Sequence, residues 1–211
     1  MQKNFSDTYR DRMAETVHIT GNPYSETKLR AEDWTYLGEV WRAYQNSIGA
    51  IPPGPMTDYT IDAATQYDEP IIAHYMQPHQ PFRSLADEGE LRHVPTKDVW
   101  RLLQFGEYTR EKIWEAYLDN LRWVLDDLEV LLANVDRDDV VITSDHGNGL
   151  GEFGVYGHSQ YIPLSPLKEV PWIPVETDDT AGESYVPDHE LPVTQNSVDT
   201  QERLEALGYV G

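Results

Sequence analysis

Cysteine is absent from all 211 residues. Disulfides and thiolate metal sites are therefore excluded, and one common nucleophile is missing. Long apolar runs are absent too, and nothing approaches the roughly 20 residues needed to cross a bilayer. The opening Met1-Gln2-Lys3-Asn4-Phe5 lacks the apolar core of a secretion signal, so a cytoplasmic location is the expectation. Positive charge is scarce: 16 basic residues stand against 37 acidic ones, and the formal net charge is −21. Such a surface repels nucleic acid and anionic membranes. Neither a nucleic-acid partner nor a membrane span is expected. Two readings of the acid excess stay open. One is a solvated surface suited to high salt, as in halophile proteins; the other is a face that binds a cation or a partner. Acids spread along the whole chain favour the first. An anionic ligand would need a local positive site to overcome this field.

What is present points to one folded domain over residues 1–211. Hydrophobic residues make up 39% and aromatics 11%, enough to build a core. Residues 1–69 read as a helical and irregular lead-in. The first 15 are charged and amphipathic and predict a helix. Val17-His18-Ile19-Thr20 is a short strand closed by Gly21-Asn22-Pro23. Trp34, Leu37, Val40, Trp41 and Tyr44 recur at helical spacing and predict a second helix. Ile51 to Pro55 reads as a loop, and Thr57 as the N-cap of a helix reaching Tyr67. The core segment, 70–175, opens with Ile71 to Met76, an apolar run expected as a buried strand. Residues 83–98 read as a polar insertion. A long helix is expected from Thr109 to Val135, with Ile113, Tyr117, Leu121, Leu125, Leu128 and Leu132 as its buried stripe. Val140-Val141-Ile142-Thr143 is a second buried strand, and Val170-Pro171-Trp172-Ile173 an edge strand. Residues 176–211 form an acidic irregular stretch and, from Asp199 to Gly208, a final helix. Uniformly apolar strands alternating with helices argue for an α/β domain with a mainly parallel sheet flanked by helices. Ligands of such sheets bind beyond the carboxyl ends of strands.

Three polar clusters follow expected strands. Thr143-Ser144-Asp145-His146-Gly147-Asn148-Gly149 leaves the second strand. Asp and His suit hard to borderline metals, and two adjacent residues in a turn can face one ion. A capping aspartate beside a surface histidine is the plainer alternative. Gly157-His158 lies twelve residues beyond His146, past Gly151-Glu152-Phe153-Gly154, a spacing suited to a loop folding back over a site. His79 lies between Pro78 and Pro81, which fix its backbone. His74 sits inside a strand and reads as structural. His18, His93 and His189 have no site-like context.

These segments resemble one family. Asp139 to Gly147 with Gly151-Glu152-Phe153-Gly154-Val155-Tyr156-Gly157-His158 is similar to the late metal motif of the sulfatase family of the alkaline-phosphatase superfamily. His74-Tyr75-Met76-Gln77-Pro78-His79-Gln80-Pro81-Phe82 resembles that family's strand ending in Pro-His-x-Pro. Val170-Pro171-Trp172-Ile173 looks like its Val-Pro-x-Ile strand, and Leu204-Glu205-Ala206-Leu207-Gly208-Tyr209 like its ending. The resemblance covers roughly residues 70–211. It implies a three-layer alkaline-phosphatase-like sandwich, incomplete at the amino-terminal side, and hydrolysis of a sulfate or phosphate ester. Asp145 and His146 match two metal ligands, for calcium, magnesium, manganese or zinc. His79 matches the residue contacting the ester, and His158 stands where many members place a lysine beside the leaving-group oxygen. The expected partner is a small anionic ester or a sulfated sugar.

Two family features are missing from the sequence. No early strand carries an aspartate pair, and neither Cys-x-Pro-x-Arg nor Ser-x-Pro-x-Arg occurs. The expectation is a hydrolase site lacking its nucleophile segment. An inactive binding module and a phosphoryl-type transferase of the same superfamily are the alternatives. Substrate, metal identity and oligomeric state are not readable.

Overall fold

A computed structural model describes residues 5–87, 99–158, 161–177 and 185–189. In chain order the elements are α1 (Arg10–Met13), β1 (Val17–Thr20), α2 (Ser25–Lys28), β2 (Tyr36–Glu39), α3 (Pro53–Gln66) and β3 (Ile71–His74). They continue as α4 (Arg83–Asp87), α5 (Val99–Gln104), α6 (Arg110–Leu132), β4 (Val140–Thr143), β5 (Gly149–Leu150), β6 (Tyr156–Gly157), α7 (Ser165–Lys168) and β7 (Trp172–Val175). The fold is mixed α/β. Its centre is a parallel sheet in the order β2-β1-β3. Two antiparallel pairs, β4–β7 and β5–β6, complete the described strands.

β1 is buried along its whole length. Side chains alternate across a strand, so Val17 and Ile19 enter one cluster with Val40, Trp41, Ile51, Met56 and Tyr59. His18 points to the opposite face, against Phe5 and Trp34. α3 covers the first face and packs on α6. It starts at Pro53 rather than at Thr57, with Pro52 in extended geometry as its cap. Proline suits the first helical position because that N–H has no intrahelical partner. The stretch expected as a loop is therefore partly helix. Thr57 is buried inside α3 and bonds Tyr75 Oη at 2.8 Å.

The helix expected from Trp34 to Tyr44 is absent. Tyr36–Glu39 is a strand, followed by a single 3-10 turn at Val40–Arg42. Of the apolar residues at helical spacing only Leu37 lies in β2; Trp34 precedes the strand, and Val40 and Trp41 belong to the turn that follows it. Tyr36 packs on the α3 side, and Leu37 on the other with Met13, Leu29 and Trp34. Gly38, unfavourable inside a helix by about 1 kcal/mol, sits in a crowded place here: a Cβ would lie 2.8 Å from Ile19 Cδ1, which would have to shift. The amino-terminal helix shrinks to α1 and a 3-10 turn at Asp7–Tyr9.

α6 matches its expected span, with Thr109 Oγ1 accepting from Lys112 N at 3.2 Å. Its buried face is rotated, however: Ile113, Ala116, Asn120, Val124 and Leu131 are buried, whereas Leu125 is exposed. A broad apolar stripe fixes a helix's orientation only to within a residue or so. Here small Ala116 and polar Asn120 face the α4 side because of what they meet there.

β4 is the main departure from the expected sheet. It does not join β1 and β3, and its residues alternate between half-buried and exposed. It pairs antiparallel with β7, Val140 opposite Val175 and Thr143 opposite Trp172. β7 itself begins two residues later than expected. Of the segment 83–98, Arg83–Asp87 is helical; residues 88–98, most of 176–197 and the final helix lie outside the described residues. Among the described residues, no helix is long and apolar enough to cross a membrane.

Candidate functional site

His79 sits in the loop after β3. That loop is held on several sides. Gln77 Nε2 donates to Ile51 O at 2.7 Å, and Val99 N donates to Gln80 Oε1 at 3.2 Å. Asn120, on α6 and 1% exposed, contributes most. Its Nδ2 donates to His79 O at 3.0 Å and Pro81 O at 3.1 Å, while its Oδ1 accepts from Arg83 N at 3.2 Å. Every hydrogen-bonding direction of this amide but one is used on the His79 loop. The prolines were expected to preorganise His79; the side chain that ties their loop down comes from α6.

Asp145 and His146 follow β4. His146 Nε2 lies 3.6 Å from Asp145 Oδ2. The turn needs Gly147, since a Cβ there would fall 2.0 Å from Pro166 O. His158 follows β6, and its Nδ1 meets Asn148 Oδ1 at 3.1 Å. Asn148 also bonds Tyr117 of α6. The β5–β6 hairpin is thereby closed at its base and seated on the cluster of Phe82, Trp100 and Ile113 through Leu150 and Tyr156.

Three imidazoles from three loops meet. His146 stacks on His158 with centroids 4.4 Å apart and planes at 22°, and His79 lies edge-on to His158 at 5.5 Å. Burial pushes His79 down to about 4, with the neighbouring imidazoles adding to the effect and the Gln80 carbonyl opposing it. Burial, then His146, pushes His158 down to about 4. Both rings are neutral near pH 7. His79 Nδ1 faces Gln80 O at 2.5 Å and His146 Nδ1 faces Gly147 O at 3.0 Å. A carbonyl oxygen only accepts, so each Nδ1 donates to it. With Asn148 Oδ1 as acceptor, His158 Nδ1 donates likewise.

His74, read as structural, bonds Thr20 Oγ1 through Nδ1 at 3.2 Å. Burial lowers its pKa, and the charge of Asp145 reaches it, so the end of β3 approaches the same rim. His18 is fully buried and neither ring nitrogen has a hydrogen-bond partner. His189 Nδ1 bonds the buried Asp58 at 2.5 Å, beside Tyr185 on the other carboxylate oxygen. His93 lies outside the described residues. Sequence reading missed Asn120, Asn148 and the Asp58–His189 pair. Asn120 had a usable signal: Ile113, Ala116, Asn120 and Val124 share one helical face, and a polar residue on an apolar face calls for partners.

Asp145 and His146 offer two metal donors. Among the described residues no group of three or more His, Asp or Glu could hold a metal ion. Calcium, magnesium, manganese and zinc want four or more donors, so the described set does not fit such an ion by itself. No family model matches the chain, and no curated protein or solved structure is significantly similar to it.

Proposed function

We infer that this chain carries part of a sulfatase-like ester-hydrolase site, built on an alkaline-phosphatase-like three-layer sandwich. The observation that carries the reading is the ring-to-ring meeting of His79, His146 and His158 from the loops after β3, β4 and β6. His79 comes from a sequence segment far from that of His146 and His158, and all three are residues that the motif resemblance singles out. A divalent cation belongs to the proposal, with Asp145 and His146 as two of its donors. The remaining donors would come from water or from beyond the described residues, and no chemical step is assigned to the ion.

The chain's own residues have definable roles. Asn120 fixes the His79 loop, and Asn148 orients His158. His158, held neutral near pH 7 by burial, is suited to receive a proton from a water or hydroxyl rather than to supply one. That differs from the lysine the family places there, which is a permanent donor. The net charge of −21 repels an anion and the buried imidazoles of His79 and His158 supply no counter-charge, so ester binding is expected only with a divalent cation present.

A second reading, a binding module without turnover, is favoured by the absence of Cys-x-Pro-x-Arg and Ser-x-Pro-x-Arg from the sequence. A hydrolysis screen on sulfate and phosphate esters, supplemented with each divalent metal, tests both. Turnover lost in Asp145→Ala and His79→Ala supports the hydrolase. Equal background rates in all three proteins would remove it, and binding without turnover would leave the module.

A further inference from the structure

The carboxylate of Asp58, on α3, is only 5% exposed, and both of its oxygens are taken by one short segment of the chain. Tyr185 Oη donates to Oδ1 at 2.5 Å, and His189 Nδ1 donates to Oδ2 at 2.5 Å. The Tyr185 ring packs on Ile61, Leu131 and Val135, at the seam between α3 and the end of α6. Tyr44 meets the His189 ring edge-on, with centroids 4.7 Å apart. The chain also touches α3 earlier. Thr177 Oγ1 accepts from Arg137 N at 3.1 Å and donates to Arg137 O at 2.8 Å. The Arg137 guanidinium in turn donates to the carbonyls of Ala64, Tyr67 and Asp68 at the end of α3.

Tyr185 to His189 form neither helix nor strand, and Val186 and Asp188 face water. Side chains hold the segment: two hydrogen bonds on one carboxylate, and one ring. Ordering five residues costs about as much as such contacts return. A small electrostatic contribution can therefore decide the balance. Its sign is unfavourable, because residues 176–190 carry six acids and neither lysine nor arginine. Seating the segment brings Asp188 to a place already occupied by Asp58 and Asp127. Burial and the bond to Asp58 raise the Tyr185 pKa, and the charges of Asp58, Asp188 and Asp127 add to the effect. Burial, then Asp126 and Asp58, likewise raises Asp127. Among the described residues, no lysine or arginine lies within ion-pair distance of Asp58, Asp127 or Asp188. Repulsion of this kind is screened by salt: the Debye length falls from about 10 Å at 0.1 M to about 3 Å at 1 M.

We propose that Tyr185–His189 is a strap that latches on Asp58 across the α3–α6 seam, and that salt closes it by screening the like charges of the strap and the two helices. At low ionic strength Asp188 is driven away from Asp58 and Asp127, and water takes over the Asp58 carboxylate. At high ionic strength the two hydrogen bonds and the Tyr185 contact prevail.

The test follows the His189 ring resonances of the whole chain, which the Tyr44 ring shifts when the strap is seated. Salt runs from about 0.05 to about 1 M at one fixed pH, as sodium chloride and, separately, as choline chloride. The ratio of closed to open strap should rise about 3- to 10-fold over that range, the size of a few exposed charge pairs, and equally in both salts. Asp188→Asn, at an exposed position, should close the strap at lower salt. Asp58→Asn removes one acceptor and should hold it open at every salt, with amide protection of β1 and α6 unchanged. His189 resonances that ignore salt overturn the strap. So does a response to sodium but not to choline, which would mark a bound ion, or an Asp188→Asn series identical to that of the unaltered protein.

Discussion

Replacing Asn120 isolates the element that holds His79 in place. The side chain is buried and makes hydrogen bonds of 3.0, 3.1 and 3.2 Å to the loop backbone. Asn120→Ala leaves two carbonyls and one N–H without that partner. An orphaned buried group costs about 1–3 kcal/mol, but the vacated space can admit water to part of it. The expected loss is about 3 kcal/mol, a large share of the roughly 5–15 kcal/mol that holds a domain together. Asn120→Asp keeps the shape and reverses the chemistry. The amide nitrogen that donates to His79 O and Pro81 O becomes a second oxygen facing two carbonyls. Ionised, the introduced carboxylate should cost at least as much as alanine. Protonated, it regains one donor, so its pKa is raised in the fold. A raised carboxyl pKa contributes stability below the unfolded value that is lost as pH rises. Urea midpoints of the two variants, measured at pH 7 and pH 5 relative to the unaltered protein, give the readout. The aspartate variant should recover part of its deficit at pH 5, and the alanine variant should not. A loss below 1 kcal/mol for alanine, or identical pH behaviour of the two, would refute the role given to Asn120.

His18 makes a second pH prediction. Burial, with a contribution from His74, lowers its pKa from 6.5 to about 3. The unfolded chain then binds the extra proton below pH 6.5, and stability falls as pH drops from there towards 3. At pH 5 the loss is about 2 kcal/mol, from 1.5 units at 1.36 kcal/mol each. His18→Leu should remove about one proton's share, about 1.4 kcal/mol per pH unit, from the slope of that limb between pH 6.5 and 5, leaving the share of His74, His79 and His158; an unchanged slope would sink the assignment. Glycine positions separate strain from collision. Gly157 has φ 69 and a Cβ there would lie 2.9 Å from the Trp100 ring, whereas Gly106, at φ 73, has nothing within 4 Å. Gly106→Ala should cost about 1 kcal/mol of backbone strain, and Gly157→Ala about 2 kcal/mol more from overpacking. Equal urea midpoints for the two would refute the contact with Trp100.

Legibility followed the range of the interactions involved. β1 and α6 were readable because their signals are local: a short apolar run before Gly-Asn-Pro, and a threonine cap before a long amphipathic stretch. β2 was misread because apolar residues before, within and after a four-residue strand imitated helical spacing, and only pairing with β1 resolves the difference. The pairing partner of β4 was invisible for the same reason. Val140 to Thr143 and Ile71 to His74 look alike in sequence, yet one joins an antiparallel ribbon and the other the central sheet. The site residues were found by motif. Their supports were not, because a hydrogen bond from Asn120 to a loop some 40 residues earlier leaves only an odd polar residue in an apolar stripe.

On the ester-site reading proposed above, charge decides what the histidine cluster can hold. The chain as a whole carries −21, and exposed acids raise the local concentration of cations and lower that of anions within a Debye length. At the cluster itself, Asp145 brings a carboxylate, and the Nδ1 atoms of His79 and His146 donate to backbone carbonyls. Field and carboxylate point the same way: an anion meets repulsion from both. Were the rings to take up protons instead, they would do so against the burial that holds His79 and His158 near 4. On the reading proposed above, the positive charge that buried neutral imidazoles cannot supply would have to come from a cation, and the described donors do not hold one by themselves. Ester binding in the absence of any divalent cation would therefore count against that reading.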